Sequence, residues 1–474
     1  MESELTINMH NKPRILITIS FSFSIRYIIR TGLLDEVRKF AQPVIVLTWN
    51  QEDLIDELKQ AGYEVHIAPE TKKGNLYVDI RKKIDYWFVH FKLKSATRKY
   101  QNKYLSQYNS LKHNIITKAR KWYNITKLYL PGTTAKIFAQ EKKLLTTDTN
   151  YNAIEKWVNQ LNVDTVFTVT PFHAQEDLLL RACKNLGKKM ITSILSFDNI
   201  TKRGWIPVEY DIYMVWNKYN FNELMRIYPS INKEKIFIVG APQFDFYFDS
   251  QNLLSKEEWM KLVGIKDSTK KIILYAGGPK SLFPNEPQYL KKISQAIDTG
   301  SIDSNSIILF RCHPVDVMQR WKDVVGESNN VVFDSSWTGV QNLLHTNITL
   351  LDIKKLCSTL FYTDVHINLC STMSIDGSAF AKPQIAPAFD YRGVKESKLL
   401  KAMYYQEHFA PIMNINGVSI ANSQQEMIDW INKGLSNDTS MIEKCKQVLE
   451  EIITYTDGNC TNRVVEVLKN SVVN

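Results

Sequence analysis

The sequence predicts an α/β protein made of two doubly wound units, each built on a parallel sheet. Short runs rich in Ile and Val alternate with helical patterns along most of the chain. The alternation is interrupted once, and a second series begins after Phe248. At roughly 100–200 residues per domain, 474 residues that are 44% hydrophobic suit two large domains.

Residues 14–20 (RILITIS) read as a buried strand and 44–48 (VIVLT) as a second. A helical pattern over 52–61 stops at Gly62, and 63–68 (YEVHIA) is a third strand. This β-α-β-α-β order marks a parallel sheet. Residues 81–127 lack Gly and Pro and are rich in Lys and aromatics, which predicts two long helices inserted in the unit. Strands resume at 164–170, 190–195, 211–216 and 235–239, with a helix over 174–186. The second series has strands at 271–276, 306–311, 330–333, 365–369 and 383–386, a helix at 373–380, and a last helix near 462–468. The expected domains are therefore 1–245, carrying a basic insertion at 71–143, then 246–455, then a C-terminal helix in 456–474. Two similar units imply a cleft between them, because open parallel sheets bind ligands at the carboxyl ends of their strands.

Charge is unevenly placed. The chain carries a net +10, but 71–143 alone holds 15 Lys and 3 Arg against Asp79, Asp85 and Glu141, a net +15. Tyr86, Trp87, Tyr100, Trp122 and Tyr123 lie among these cations. Such a segment suits a polyanionic partner, either an anionic membrane surface or a nucleic acid; a solvated helical hairpin is the plainer alternative. No apolar run reaches the ~18 residues of a spanning helix. The six cysteines form no CxxC pair, and the start lacks a signal-peptide pattern, so a cytoplasmic location is expected, with possible attachment to the inner face of the membrane.

Three loops of the second unit carry candidate chemistry. Arg311-Cys312-His313-Pro314 ends a strand with a cation and an imidazole, able to bind a phosphate or a nucleotide edge. Ser371, Thr372 and Ser374 precede or open a helix, where hydroxyls and amides suit a diphosphate, and Asp376 follows one turn later, either capping the helix or meeting a ribose or sugar. Gly277-Gly278 allows close backbone approach to a phosphate, or simply a turn. In the first unit the loops after three strands hold Ser24 and Arg26, His173, and Asp198-Asn199. His173 and Asp198 are the candidate general bases, Ser24, Arg26 and Asn199 the acceptor-side residues; an Asx turn is the other reading of Asp198. Walker A, GxGxxG and GxSxG patterns are missing, as is any metal-cage spacing or DxD, so no cofactor and no metal are expected.

Taken together, the two Rossmann-like halves, Arg-Cys-His-Pro at 311–314 and Ser-Thr-Met-Ser-Ile-Asp at 371–376 with Ala381-Lys382-Pro383 resemble a GT-B glycosyltransferase. The His-Pro and Ser/Thr pair is similar to that of bacterial capsule sialyltransferases and CDP-glycerol glycerophosphotransferases. SFDNITKRG (196–204), DIYMVWNKYN (211–220) and IVGAPQFDFY (238–247) resemble a broad bacterial family of GT-B-like surface-polysaccharide enzymes, with Phe197 where that pattern has Trp. The resemblance covers about 150–470 and the first ~70 residues. It implies a nucleotide-activated donor on the second unit, met by Arg311, His313, Ser371, Thr372 and Ser374, and a glycan or lipid-linked acceptor on the first. The expected reaction is sugar transfer from a nucleotide sugar, with alditol-phosphate transfer from a CDP-alditol as the alternative. A non-catalytic sugar-nucleotide binder or a nucleic-acid binder is a minor one, the latter lacking any RRM, KH or OB signature.

Overall fold

The computed structural model describes residues 12–71, 76–93, 110–112, 115–116, 118–119, 122–123, 126, 130–338, 345–369, 371–391 and 397–473. The chain divides into two compact units, residues 1–239 with 461–474, and residues 240–460.

The first unit holds a seven-stranded sheet of β1 (Arg14–Ile19), β2 (Gln42–Leu47), β3 (Glu64–Ile67), β4 (Thr165–Thr168), β5 (Lys189–Ser193), β6 (Ile212–Val215) and β7 (Ile236–Ile238). Their order is β3-β2-β1-β4-β5-β6-β7, with every pairing parallel. Side chains alternate between faces, so β1 sends Leu16 into one core cluster and Ile15, Ile17 and Ile19 into the other. Both faces are covered, which is why the strands read as near-continuous apolar runs. The last helix, Cys460–Val473, contributes Val464 and Leu468 to the second of these clusters.

The second unit holds β8 (Lys271–Ala276), β9 (Ser306–Cys312), β10 (Val331–Ser335), β11 (Val365–Asn368), β12 (Gln384–Pro387) and β13 (Ser419–Ala421). They run in the order β10-β9-β8-β11-β12-β13, again all parallel. In each sheet the order reverses once, at β1/β4 and at β8/β11. Loops leaving the carboxyl ends there border a crevice that the sheet itself creates.

Several boundaries differ from the sequence reading. The helix expected from 174 begins at Asp177, because residues 170–176 form two successive turns, His173 N–H to Thr170 O (2.9 Å) and Glu176 N–H to His173 O (3.0 Å). β13 was not anticipated. Of the insertion, the helix Leu76–Trp87 runs into a π-helical turn, Phe88–Leu93, and a helix spans Thr133–Thr147. Most of the expected helical pair between 94 and 129 lies outside the described residues.

A buried charge network joins those insertion helices to the sheet unit. Asp177 accepts from Tyr77 (2.5 Å) and pairs with Arg81 (3.1 Å) and Arg181 (3.2 Å); Arg181 also pairs with Glu141 (2.6 Å). Trp205 lies under both guanidinium groups, at 4.5 and 5.3 Å. Burial pushes the Asp177 carboxyl up, but the two guanidinium groups outweigh it and hold the group below its ordinary range. No helix among the described residues is long and apolar enough to cross a membrane.

Candidate active site

In the first unit the switch point is built around a residue the sequence did not single out. Glu176, fully buried, accepts from Thr18 Oγ1 (3.0 Å) and Thr168 Oγ1 (2.6 Å) on one carboxylate oxygen. Its other oxygen accepts from Ser20 and Thr170. These hydroxyls sit at the ends of adjacent strands β1 and β4. Burial raises the carboxyl to about 7, against the opposing pull of the Thr168, Thr170 and Thr18 bonds. The Thr and Ser at both strand ends were the sequence signal, but nothing local ties them to a Glu 158 positions later.

His173 lies in the turn that leads to Glu176. It is half-buried, and its ring stacks on Phe21 with centroids 5.4 Å apart and planes 7° apart. Phe21 follows β1, so the two rings come from both sides of the switch point. Ser24 is fully buried, and Arg26 is buried within the π-helical turn Arg26–Arg30.

Asp198, the other candidate base, is ion-paired with Lys202 (2.9 Å) and accepts from the Asn199 amide (2.9 Å). Its side chain does not cap the short helix Asn199–Lys202. Asn199 is itself buried. Of the motif residues nearby, Asn217 caps the helix Lys218–Ile227, accepting from Asn220 N–H (2.9 Å). The Asn220 amide in turn holds the Phe197 carbonyl (2.7 Å). The VWNKYN stretch is thus a clamp on the loop carrying Asp198.

In the second unit Gly277 and Gly278 serve packing. A Cβ on Gly277 would sit 2.7 Å from Trp321, and one on Gly278 would sit 2.4 Å from Phe283. Their amides are also engaged, Gly277 N–H to Arg311 O (3.0 Å) and Gly278 N–H to Glu286 (2.8 Å). Glu286 is fully buried, and burial lifts its carboxyl to about 8 despite that amide. Arg320 ties the same loop to the one bearing His313. It pairs with Asp316 (2.6 Å) and donates to the carbonyls of Gly278 (3.2 Å) and Pro284 (3.1 Å).

Arg311 is buried on β9 beside Asp334 (4.0 Å), its partner in register on β10; Asp334 also pairs with Lys355 (2.6 Å). His313 is half-buried and its Nδ1 accepts from Val315 N–H (3.1 Å). In the neutral ring that leaves the proton on Nε2, as a donor. At the end of β11, Asn368 Oδ1 accepts from Ser374 Oγ (2.9 Å) and Ser371 N–H (3.3 Å). Ser371 Oγ accepts from Met373 N–H (3.2 Å), and Thr372 is exposed. Asp376 is buried and accepts from the Tyr247 hydroxyl (2.6 Å). The candidate residues therefore lie at or beyond the carboxyl ends of β1, β4 and β5 in one sheet and of β8, β9 and β11 in the other, but Ser374, Asp376 and the two glycines are engaged in holding those loops. Among the described residues no group of three or more His, Cys, Asp or Glu is placed to hold a metal ion.

No curated protein matches the chain. Among solved structures, it is similar to MnaA of S. aureus with UDP (TM-score 0.55, 12% identity, covering 97% of both chains). It is similar also to a UDP-GlcNAc 2-epimerase from Neisseria meningitidis bound to UDP-GlcNAc (0.54, 11%, covering 96% of this chain and 100% of that one). A glycosyltransferase from Rickettsia africae gives 0.51 at 14% identity, covering 98% and 99%. At these identities the likeness is one of fold, two Rossmann-like units of the GT-B kind. The family model described as CDP-Glycerol:Poly(glycerophosphate) glycerophosphotransferase matches residues 182–470, which include the whole of the second sheet and β5 to β7 of the first. With more than half of its length in that match, the chain belongs to the CDP-glycerol:poly(glycerophosphate) glycerophosphotransferase family.

Proposed function

We propose that the chain is a nucleotide-dependent transferase that moves an alditol phosphate from a CDP-alditol to a hydroxyl of a surface polymer or lipid-linked precursor. The family match over 182–470 is the observation that carries this reading. The acceptor oxygen attacks the phosphorus bearing the alditol, the bond from that phosphorus to the bridging diphosphate oxygen breaks, and CMP leaves. His173 takes the hydroxyl proton; its half-buried ring at the switch point suits that role better than Asp198, which Lys202 already neutralises. His313, donating through Nε2, is the candidate contact to the donor phosphates, and Ser371 and Thr372 are further candidates on the loop after β11. No metal is required, since cationic and hydrogen-bonding groups can neutralise the leaving phosphate.

Transfer of a sugar from a nucleotide sugar is the second reading, since the 311–314 and 371–376 motifs suit either donor. The test is turnover of CDP-glycerol, other CDP-alditols, and UDP-, GDP- and CMP-sugars, with and without chelator. CMP release from a CDP-alditol supports the first reading. Turnover of a nucleotide sugar alone replaces it with the second. Turnover of none of them leaves neither standing.

The insertion is the proposed membrane-docking element. Leu111, Ile115, Ile116, Trp122 and Tyr123 are exposed there, beside Lys112 and Lys118. An apolar face among cations suits an anionic leaflet, at about 1 kcal/mol per Lys or Arg near the surface. Flotation with vesicles containing anionic lipid, lost in neutral vesicles, is the expected result. Salt-sensitive binding to single-stranded RNA without flotation would assign the segment to nucleic acid.

A further inference from the structure

We infer that Glu176 is a positioning residue: its carboxyl, held by hydroxyls of β1 and β4, fixes the loop 170–176 and with it the ring of His173. The inference rests on the reading of His173 as the acceptor-side base. Thr18 and Thr168 each lie one residue past the Ile17–Phe167 pair, so they are side by side in the sheet and hold one carboxylate oxygen rigidly. The other oxygen takes Ser20, the first residue beyond β1, and Thr170, the second beyond β4.

Between Thr170 and Glu176 the backbone makes two linked turns, and His173 takes part in both, donating to Thr170 O (2.9 Å) and accepting from Glu176 N–H (3.0 Å). The Thr170–Glu176 side-chain bond closes this segment into a ring. The stacking partner is held by the same group: Phe21 directly follows Ser20, which donates to Glu176. One carboxyl thus fixes both the imidazole-bearing loop and the aromatic face beneath it.

A packing role alone would be met more cheaply by an apolar side chain. Burying a carboxyl costs free energy, and well-packed hydrophobic replacements of buried charged groups are often neutral or stabilising. What an apolar residue cannot do is join four hydroxyls from two strands and a loop. Around the carboxyl, Tyr210 is a fully buried phenol that feels its charge, and Asp177, next in sequence, is already engaged by Arg81 and Arg181.

The experiment uses the full chain with carbon-13-labelled histidine, the His173 signal being assigned by its loss in His173→Asn. In the parent, stacking on Phe21 gives that signal a ring-current shift. Thr170→Val, which removes one hydroxyl and almost no volume, should move the signal toward that of an unstacked ring. It should also lower kcat with CDP-glycerol about tenfold while donor KM stays within about twofold. Glu176→Gln, able to keep the four partners, should retain the shifted signal and rescue turnover relative to Glu176→Leu. Tyr27→Phe, which removes a buried bond to Ser193 (2.7 Å) elsewhere in the unit, controls for a general loss of stability and should leave the His173 signal in place. An unmoved His173 signal and unchanged kcat in Thr170→Val overturn the inference. So does an equal loss in Thr170→Val and Tyr27→Phe. If the parent itself fails to turn over CDP-glycerol, the proposed function falls, and the histidine signal still decides the positioning role. Should Glu176→Leu not fold, Thr170→Val and Glu176→Gln carry the test.

Discussion

The two units share one strand order over six strands, the first adding β7, and each buries one glutamate beside its switch point, yet they seat it differently. Glu176 is gripped by four hydroxyls drawn from two strands and a loop. Glu286 has one backbone amide at 2.8 Å and a tyrosine hydroxyl at 3.4 Å, and its loop is held instead by Arg320 and by glycines packed against aromatic rings. The first arrangement centres its bonds on one carboxylate, while the second adds close packing of glycines against rings to the bonds of Arg320 and Glu286. The first unit also adds a basic insertion fastened by buried charge, for which the second has no counterpart among the described residues. The difference teaches that one architecture can carry loops of opposite mechanical character.

The largest expected effect tests the charge-fastened insertion. Asp177→Asn leaves Arg81 and Arg181 buried with one carboxylate fewer and should cost about 3–5 kcal/mol, read by urea unfolding. The loss should fall on the first unit, so the second unit's transition should stay in place. Next, His173→Ala should lower kcat with CDP-glycerol by about 100-fold or more while calorimetric donor binding is kept. His313→Ala should do the converse, weakening donor binding about tenfold, the worth of one hydrogen bond to a charged group. Should both variants lose donor affinity alike, the division of labour between the units is wrong. Third, Gly278→Ala forces Phe283 to move and should cost about 1–3 kcal/mol in thermal unfolding; a neutral result would show that the second loop is not held by shape.

The smallest effect is a pH profile for the second unit. Glu286, raised from 4.5 to about 8, keeps a proton when folded that it loses when unfolded, so stability falls as pH rises from about 4.5 to 8. His366, lowered from 6.5 to about 3 by burial and then by Lys382, stays neutral when folded but protonates when unfolded, so stability falls as pH drops from 6.5 to 3. Between 4.5 and 6.5 the two nearly cancel, leaving a plateau with a fall on each side. Glu286→Gln should flatten the alkaline fall, by about 1–2 kcal/mol, and turn the plateau between 4.5 and 6.5 into a slope that rises with pH. An unchanged alkaline limb would show that Glu286 is ionised throughout.

Most strands were legible because both faces of each sheet are covered, which turns a strand into an apolar run. β13 escaped because Ser419–Ala421 is too short to show any period. Loops carrying His173 and His313 could be placed from strand ends alone. The partners of Gly277 and Gly278 could not, because an amide's use depends on a glutamate that loop closure brings back. Glu176 was hidden for the same reason. Just before an apolar helix it reads as an ordinary first-turn acid, and its partners at 18 and 20 are distant in sequence.

The helix Cys460–Val473 packs with the first unit, Val464 and Leu468 within its core and Lys189 bonded to the Ser471 carbonyl. That unit is therefore assembled from segments made before and after the whole of the second unit. The ribosome must produce all of 240–460 before the covering helix for β1 exists. Until then the nascent first unit exposes part of an apolar sheet face. It also means that a fragment cut near residue 239 is an unfinished domain.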